Sequence, residues 1–142
     1  MNAPRDLVFR MWTEAEHVRE WWGPHMFTNP VCEIDARTGG AWRIVMRGPD
    51  GSEHECGGTY REVIRDERIV FTNNVVDGKG HIVLEGLTSV TFEDYDGGTR
   101  LILVTRAKAI QPAALMMLQG MEPGWMQSID RFAAFVEKQA AA

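Results

Sequence analysis

The sequence predicts an α+β domain in which a bent antiparallel sheet of about six strands packs on one long C-terminal helix, with two short helices ahead of the sheet. Three observations predict it. Between residues 27 and 107 the apolar residues alternate with a period of two, and the gaps hold "RTGG", "GPDG", "RDE", "VDGKG" and "YDGG", mostly the Gly- and Asp-rich connections that hairpins require. Trp125, Ile129, Phe132 and Val136 recur at spacings of four, three and four, one apolar stripe of a helix. Before residue 27 the apolar residues recur at helical spacing instead.

Each element follows from its residues. Pro4 suits a first helical turn, and Leu7, Val8, Met11 and Trp12 then mark an amphipathic helix. Thr13 and Glu16 fit a capping box, so a second helix is predicted to start at once and to end at Gly23-Pro24. That helix closes on adjacent tryptophans, Trp21 and Trp22, which point about 100° apart and so cannot share one face. Strands are predicted over 27–35, 41–47, 53–64, 68–74, 82–94 and 99–107. Alternation is clearest in the second, where Trp42, Ile44 and Met46 fall on one side and Arg43 and Arg47 on the other. Pro112 then opens a helical turn carrying Leu115 and Leu118, Gly120 is predicted to end it, and Pro123 to start the long final helix. Glycines within strands, such as Gly57-Gly58, are expected where a curved sheet bends.

A chain of 142 residues makes one domain, 1–142, able to bury roughly two-thirds of its unfolded surface. With 15 Lys and Arg against 20 Asp and Glu, the net charge of -5 and the scattered basic residues exclude a nucleic-acid surface. No stretch reads as a signal peptide or a membrane span, which predicts a soluble, cytoplasmic protein. Cys32 and Cys56 lie outside any CxxC pair and read as buried, reduced thiols.

Inward strand positions and the helix stripe converge on an apolar interior: Trp42, Met46, Tyr60, Phe71, Phe92 and Leu103 from the sheet, with Met121 and Trp125 from the helix. Taken singly, each is ordinary core. As a set, with Met116, Met117, Met121 and Met126 clustered near the start of the helix, they also suit an adaptable cavity. Tyr60 and Glu62 are placed on one strand face, where a buried pair could orient a ligand carbonyl. His17, His25, His54 and His81 form no metal-ligand spacing, and no Ser lies in a nucleophile motif. No metal, cofactor or catalytic residue is therefore assigned.

The segments "APRDLVFRMWTEAEHVREWWGP", "EIDARTGGAWRIVMRGPDG", "GTYREVIRDERIVFT", "VTFEDYDGGTRLIL" and "GWMQSIDRF" resemble the family of homologues of the activator of heat-shock protein 90 ATPase, within the START-like superfamily. The resemblance implies a helix-grip fold, a curved sheet wrapped around the last helix with an elongated cavity between them. It also implies that Trp-Trp-Gly-Pro closes one end of that cavity, one tryptophan packing inward and the other covering the rim, which adds Trp22 to the ligand-binding candidates. Three functions follow: a binding module for a small hydrophobic or aromatic molecule, a chaperone accessory protein, and a cyclase- or hydrolase-like enzyme. The first is preferred because it draws on the cavity-lining set and on the superfamily resemblance, while the absence of an acid, base or nucleophile set counts against the enzyme. Family members generally carry a strand before the Ala-Pro of the first helix. Only Met1 and Asn2 stand there in this sequence, so strand 99–107 is expected to present an open edge that a second copy covers in a homodimer.

Overall fold

Every alternating segment forms a strand, and each hairpin gap forms a short connection. The computed structural model describes all 142 residues. Two short helices, α1 (Arg5–Thr13) and α2 (Ala15–Trp21), precede strands β1 (Thr28–Ile34), β2 (Ala41–Arg47), β3 (Glu53–Ile64), β4 (Arg68–Val76), β5 (Ile82–Tyr95) and β6 (Gly98–Ala109). A single 3₁₀ turn, Pro112–Ala114, leads into α3 (Leu115–Ala141). The strands form one open antiparallel sheet in sequence order, β1 to β6, as short loops between successive strands demand.

The core lies in the concave side of the sheet. Ile44, Ile69, Val90, Phe132 and Val136 are wholly buried there, together with Val8, Val18 and Trp21 from the first two helices. This is the helix-grip arrangement, with the predicted stripe of α3 facing the sheet. No helix is long and apolar enough to cross a membrane.

Strands β3 and β4 approach closely at Gly58. There the Thr59 amide donates to Thr72 Oγ1 at 2.8 Å, and the Trp42 indole N–H donates to the Thr72 carbonyl oxygen at 3.0 Å. A Cβ on Gly58 would collide with the Thr72 carbonyl and hydroxyl oxygens, so the close approach requires glycine.

Three local expectations are corrected. Thr13 is no capping residue: it ends α1 and its hydroxyl donates back to the Phe9 carbonyl at 2.9 Å, while Glu14 precedes α2 without a side-chain cap. Glu62 does not share a face with Tyr60. One extra residue in β3 between the pairs Tyr60–Phe71 and Glu62–Val70 makes a bulge that reverses the alternation, and Glu62 instead lies 3.6 Å from Arg68. Gly120 and Pro123 do not divide the last helix, which runs unbroken from Leu115 to Ala141. Leu118 and Met121 pack on Val83, Leu84 and Ala114, and this satellite cluster holds the first turns in line with the rest.

Residues 1–3 run beside the start of β6. The Met1 amino group donates to the Thr99 carbonyl oxygen at 2.9 Å, the Thr99 amide returns a bond to the Met1 carbonyl at 3.0 Å, and Thr99 Oγ1 donates to the Ala3 carbonyl at 2.7 Å. Because alternate residues of an edge strand face outward, the same geometry aims the main-chain groups of Leu101, Leu103, Thr105 and Ala107 away from β5.

Candidate functional site

Where α3 crosses the sheet beside the α2–β1 corner, the interior does not close completely. Its first turns are sparsely packed, with Met116 81 % exposed, whereas Phe132 and Val136 further along are fully buried. Beneath the sparse part lies a cavity of about 160 Å³. Trp22 and Pro24 wall it from the corner, and Met46, Cys56, Val75 and Leu84 from the sheet. Met117, Met121, Trp125 and Ser128 cover it from α3.

Backbone geometry builds the corner. Gly23 adopts φ +95°, a conformation that favours glycine, and so turns the chain sharply after α2. The two tryptophans then part company. Trp21 is wholly buried, packs at 4.6 Å against Trp12 and donates its indole N–H to the Met11 carbonyl at 2.9 Å. Trp22, 7 % exposed, stands between Trp42 at 5.3 Å and Trp125 at 5.4 Å, both edge-on. Both rings are thus buried, and Trp22 is the one at the cavity wall.

Four of the predicted site residues, Trp22, Met46, Met121 and Trp125, line this cavity. Trp42 stands behind it, edge-on to Phe71 at 5.6 Å, and Tyr60 is edge-on to Phe71 at 6.0 Å, so these three belong to the closed core. Phe92 packs on Phe9 of α1 at 5.6 Å, at the α1 end of the sheet. Leu103 lines a separate, wider groove between the β6 edge and α3, together with Val104, Leu118, Met126 and Ile129. Periodicity identified the concave face but could not say where along it the helix stands off.

The cavity holds no formal charge. None of its lining residues carries a carboxylate, an ammonium or a guanidinium, and burial pushes the Cys56 thiol up to about 12, against a smaller lowering from the Trp22 indole, so the sulfur stays protonated near neutral pH. Cys32 is likewise raised by burial, to about 11. The two thiols are free, and they align with Ile44 of the intervening strand β2, which separates them by roughly two strand spacings of 4.8 Å, too far for a disulfide.

Sequence reasoning missed two residues here. Asn73 is in phase with Ile69 and Phe71 on the concave side of β4, is only 8 % exposed, and lines the cavity. A polar residue in an inward apolar column was the available signal. Arg131 of α3 gave no such signal, being a charged residue beside the apolar stripe. It is half-buried, and its guanidinium donates to the carbonyl oxygens of Trp22, Gly23 and Pro24 at 2.9–3.1 Å and to that of Glu20 at 3.2 Å. Desolvation lowers its pKa from the usual arginine value.

Comparison with known proteins agrees with this architecture. A family model described as "Activator of Hsp90 ATPase homolog 1-like protein" matches residues 2–137. No curated protein matches the chain. Among solved structures, a protein from Chromobacterium violaceum is 29 % identical, with a TM-score of 0.79 over 96 % of this chain and 92 % of its own. An AHSA1 protein from Silicibacter pomeroyi, 23 % identical, superposes with a TM-score of 0.83 over 98 % of this chain and 94 % of its own. A protein from Arthrobacter aurescens, 21 % identical, gives 0.82 over 97 % and 82 %. The last two likenesses concern the fold alone.

Proposed function

The chain belongs to the activator of Hsp90 ATPase homolog 1-like family, and from that premise we propose that it binds a small, uncharged, apolar or aromatic molecule between the sheet and α3. The observation that carries this reading is the 160 Å³ cavity walled by Trp22, Met46, Met121 and Trp125. A volume of about 150 Å³ is large enough for a benzene-sized ring. The absence of charge on its walls disfavours an ion, whose desolvation nothing would offset. The sparsely packed first turns of α3, carrying Met117 and Met121, supply a cover that adapts to different shapes. Toluene is a suitable probe: binding to the native state should be saturable and should raise the melting temperature with concentration. No saturable binding and no rise in melting temperature would contradict the reading.

The family description raises a second reading, an accessory to a chaperone ATPase. It draws on the outer face of the sheet, where Leu87, Ile102 and Val104 are exposed. An activator would work through that surface and not through the cavity. If the protein, in molar excess, leaves the ATPase rate of an Hsp90-type chaperone unchanged, this second reading fails.

A further inference from the structure

Asn73 is the one feature of the cavity that an apolar ligand does not explain. Its Oδ1 is completely buried and has no hydrogen-bond partner in the protein. Its strand neighbours leave it alone. Gly86 pairs with it on β5, and in the β3–β4 register Gly58 stands level with it on the other side. Directly opposed residues of an antiparallel sheet point to the same face. Two glycines there leave the Asn73 amide without a cross-strand side-chain partner. Ser128, 6 % exposed, lines the same cavity from α3. A buried carbonyl oxygen without a donor costs the fold stability, so its placement here calls for a partner.

Building on the cavity reading above, we propose that Asn73 Oδ1 accepts a hydrogen bond from the ligand, so that the protein selects an uncharged single-ring molecule carrying one O–H or N–H donor, of the phenol or aniline type. The ring fits among Trp22, Trp125 and the thioethers of Met46 and Met121, whose faces suit an aromatic guest. Asn73 lines the cavity, so a turn of its amide presents Oδ1 to the donor, and the Ser128 hydroxyl can bond the same polar group. A carboxylate of equal size brings a charge and no donor at neutral pH, and is rejected.

The test compares toluene, anisole, phenol and benzoate by calorimetric titration of the full chain and of Asn73→Leu. On the proposal, phenol binds the native protein more tightly than anisole, which has the oxygen without the donor, and benzoate does not bind. In Asn73→Leu the ratio of phenol to toluene affinity falls by at least about fivefold, the worth of one buried neutral hydrogen bond. The comparison of phenol with anisole on the unaltered protein needs no variant to fold. Equal affinity for phenol and anisole, or an unchanged ratio in Asn73→Leu, overturns the donor assignment while leaving the cavity reading intact. If no neutral ring binds at all, the cavity reading fails and this inference falls with it.

Discussion

The carbonyl oxygen of Trp22 accepts two hydrogen bonds from opposite sides, 2.9 Å from Asn29 Nδ2 on β1 and 3.1 Å from Arg131 Nη1 on α3. Sheet and helix therefore grip the same peptide, and the Trp-Trp-Gly-Pro corner is fixed where the cavity begins. Adjacent tryptophans at this point serve two structures: Trp21 completes the core of the helical pair, and Trp22 forms the cavity wall.

Arg131→Ala removes a charged donor shared by four carbonyls, and we expect it to cost about 2–3 kcal/mol in urea denaturation. Arg131→Lys should recover only part of that loss, because an ammonium on a flexible stem cannot span the fork that the guanidinium fills. A loss below about 0.5 kcal/mol in Arg131→Ala would reduce this contact to an ordinary surface interaction.

Two glycines predict opposite outcomes. Gly58→Ala puts a methyl against the Thr72 carbonyl and should destabilise by about 1–3 kcal/mol, through displacement of Thr72 and loss of the Trp42 indole bond. Gly120 lies inside α3, and a Cβ there would meet nothing within 4 Å. Gly120→Ala should therefore stabilise by about 0.5–1 kcal/mol and stiffen the cover of the cavity, which slows ligand exchange. Denaturation midpoints decide the first effect, and off-rates by stopped-flow fluorescence the second.

Stability should fall at alkaline pH. The Cys32 and Cys56 thiols rise from 9.0 to about 11 and about 12, and burial also raises Tyr60. Above pH 9 the unfolded chain releases thiol protons that the native state still holds, so ionisation favours unfolding as pH climbs towards the native values. Below about pH 8 these groups contribute no slope. Urea midpoints measured at pH 7, 8 and 10 should be equal for the first two and lower for the third, and Cys56→Ala should reduce that drop. A midpoint that holds constant to pH 10 would contradict the burial of the thiols.

The edge of β6 predicts self-association. Ile102 and Val104 are 39 % and 55 % exposed on its outer side, while Leu101 and Leu103 face inward. We propose that a second copy adds its own β6 about a two-fold axis at Leu103, which places Ile102 against Val104 of the partner subunit and continues the sheet. Light scattering at micromolar concentration should give a dimer, and Val104→Lys a monomer. A monomeric unaltered protein would refute this pairing.

The strands were legible because alternation and turn chemistry are local: "AWRIVMR" and its flanking glycines define β2 without reference to anything distant. The cavity was legible only as a face. Trp42 and Met46 share that face, yet one lies in solid core and the other beside empty space, a difference set by where α3 stands off the sheet. Pro123 misled because a local helix-breaking signal was outweighed by the packing of Leu118 and Met121 on β5. The role of Arg131 could not be read at all, since the carbonyls it gathers lie 107 to 111 positions away in the chain. Asn73 was readable, as the one polar residue in phase with Ile69 and Phe71.

The most direct measurement is the response of the five tryptophan indole N–H resonances to toluene in ¹⁵N-labelled protein. Trp22 and Trp125 line the cavity, whereas Trp12 and Trp21 are sealed beneath α3. The account predicts saturable shifts concentrated on Trp22 and Trp125, with those of Trp12 and Trp21 much smaller. Indole resonances that stay in place, while only residues of the outer groove such as Val104 and Met126 move, would contradict it.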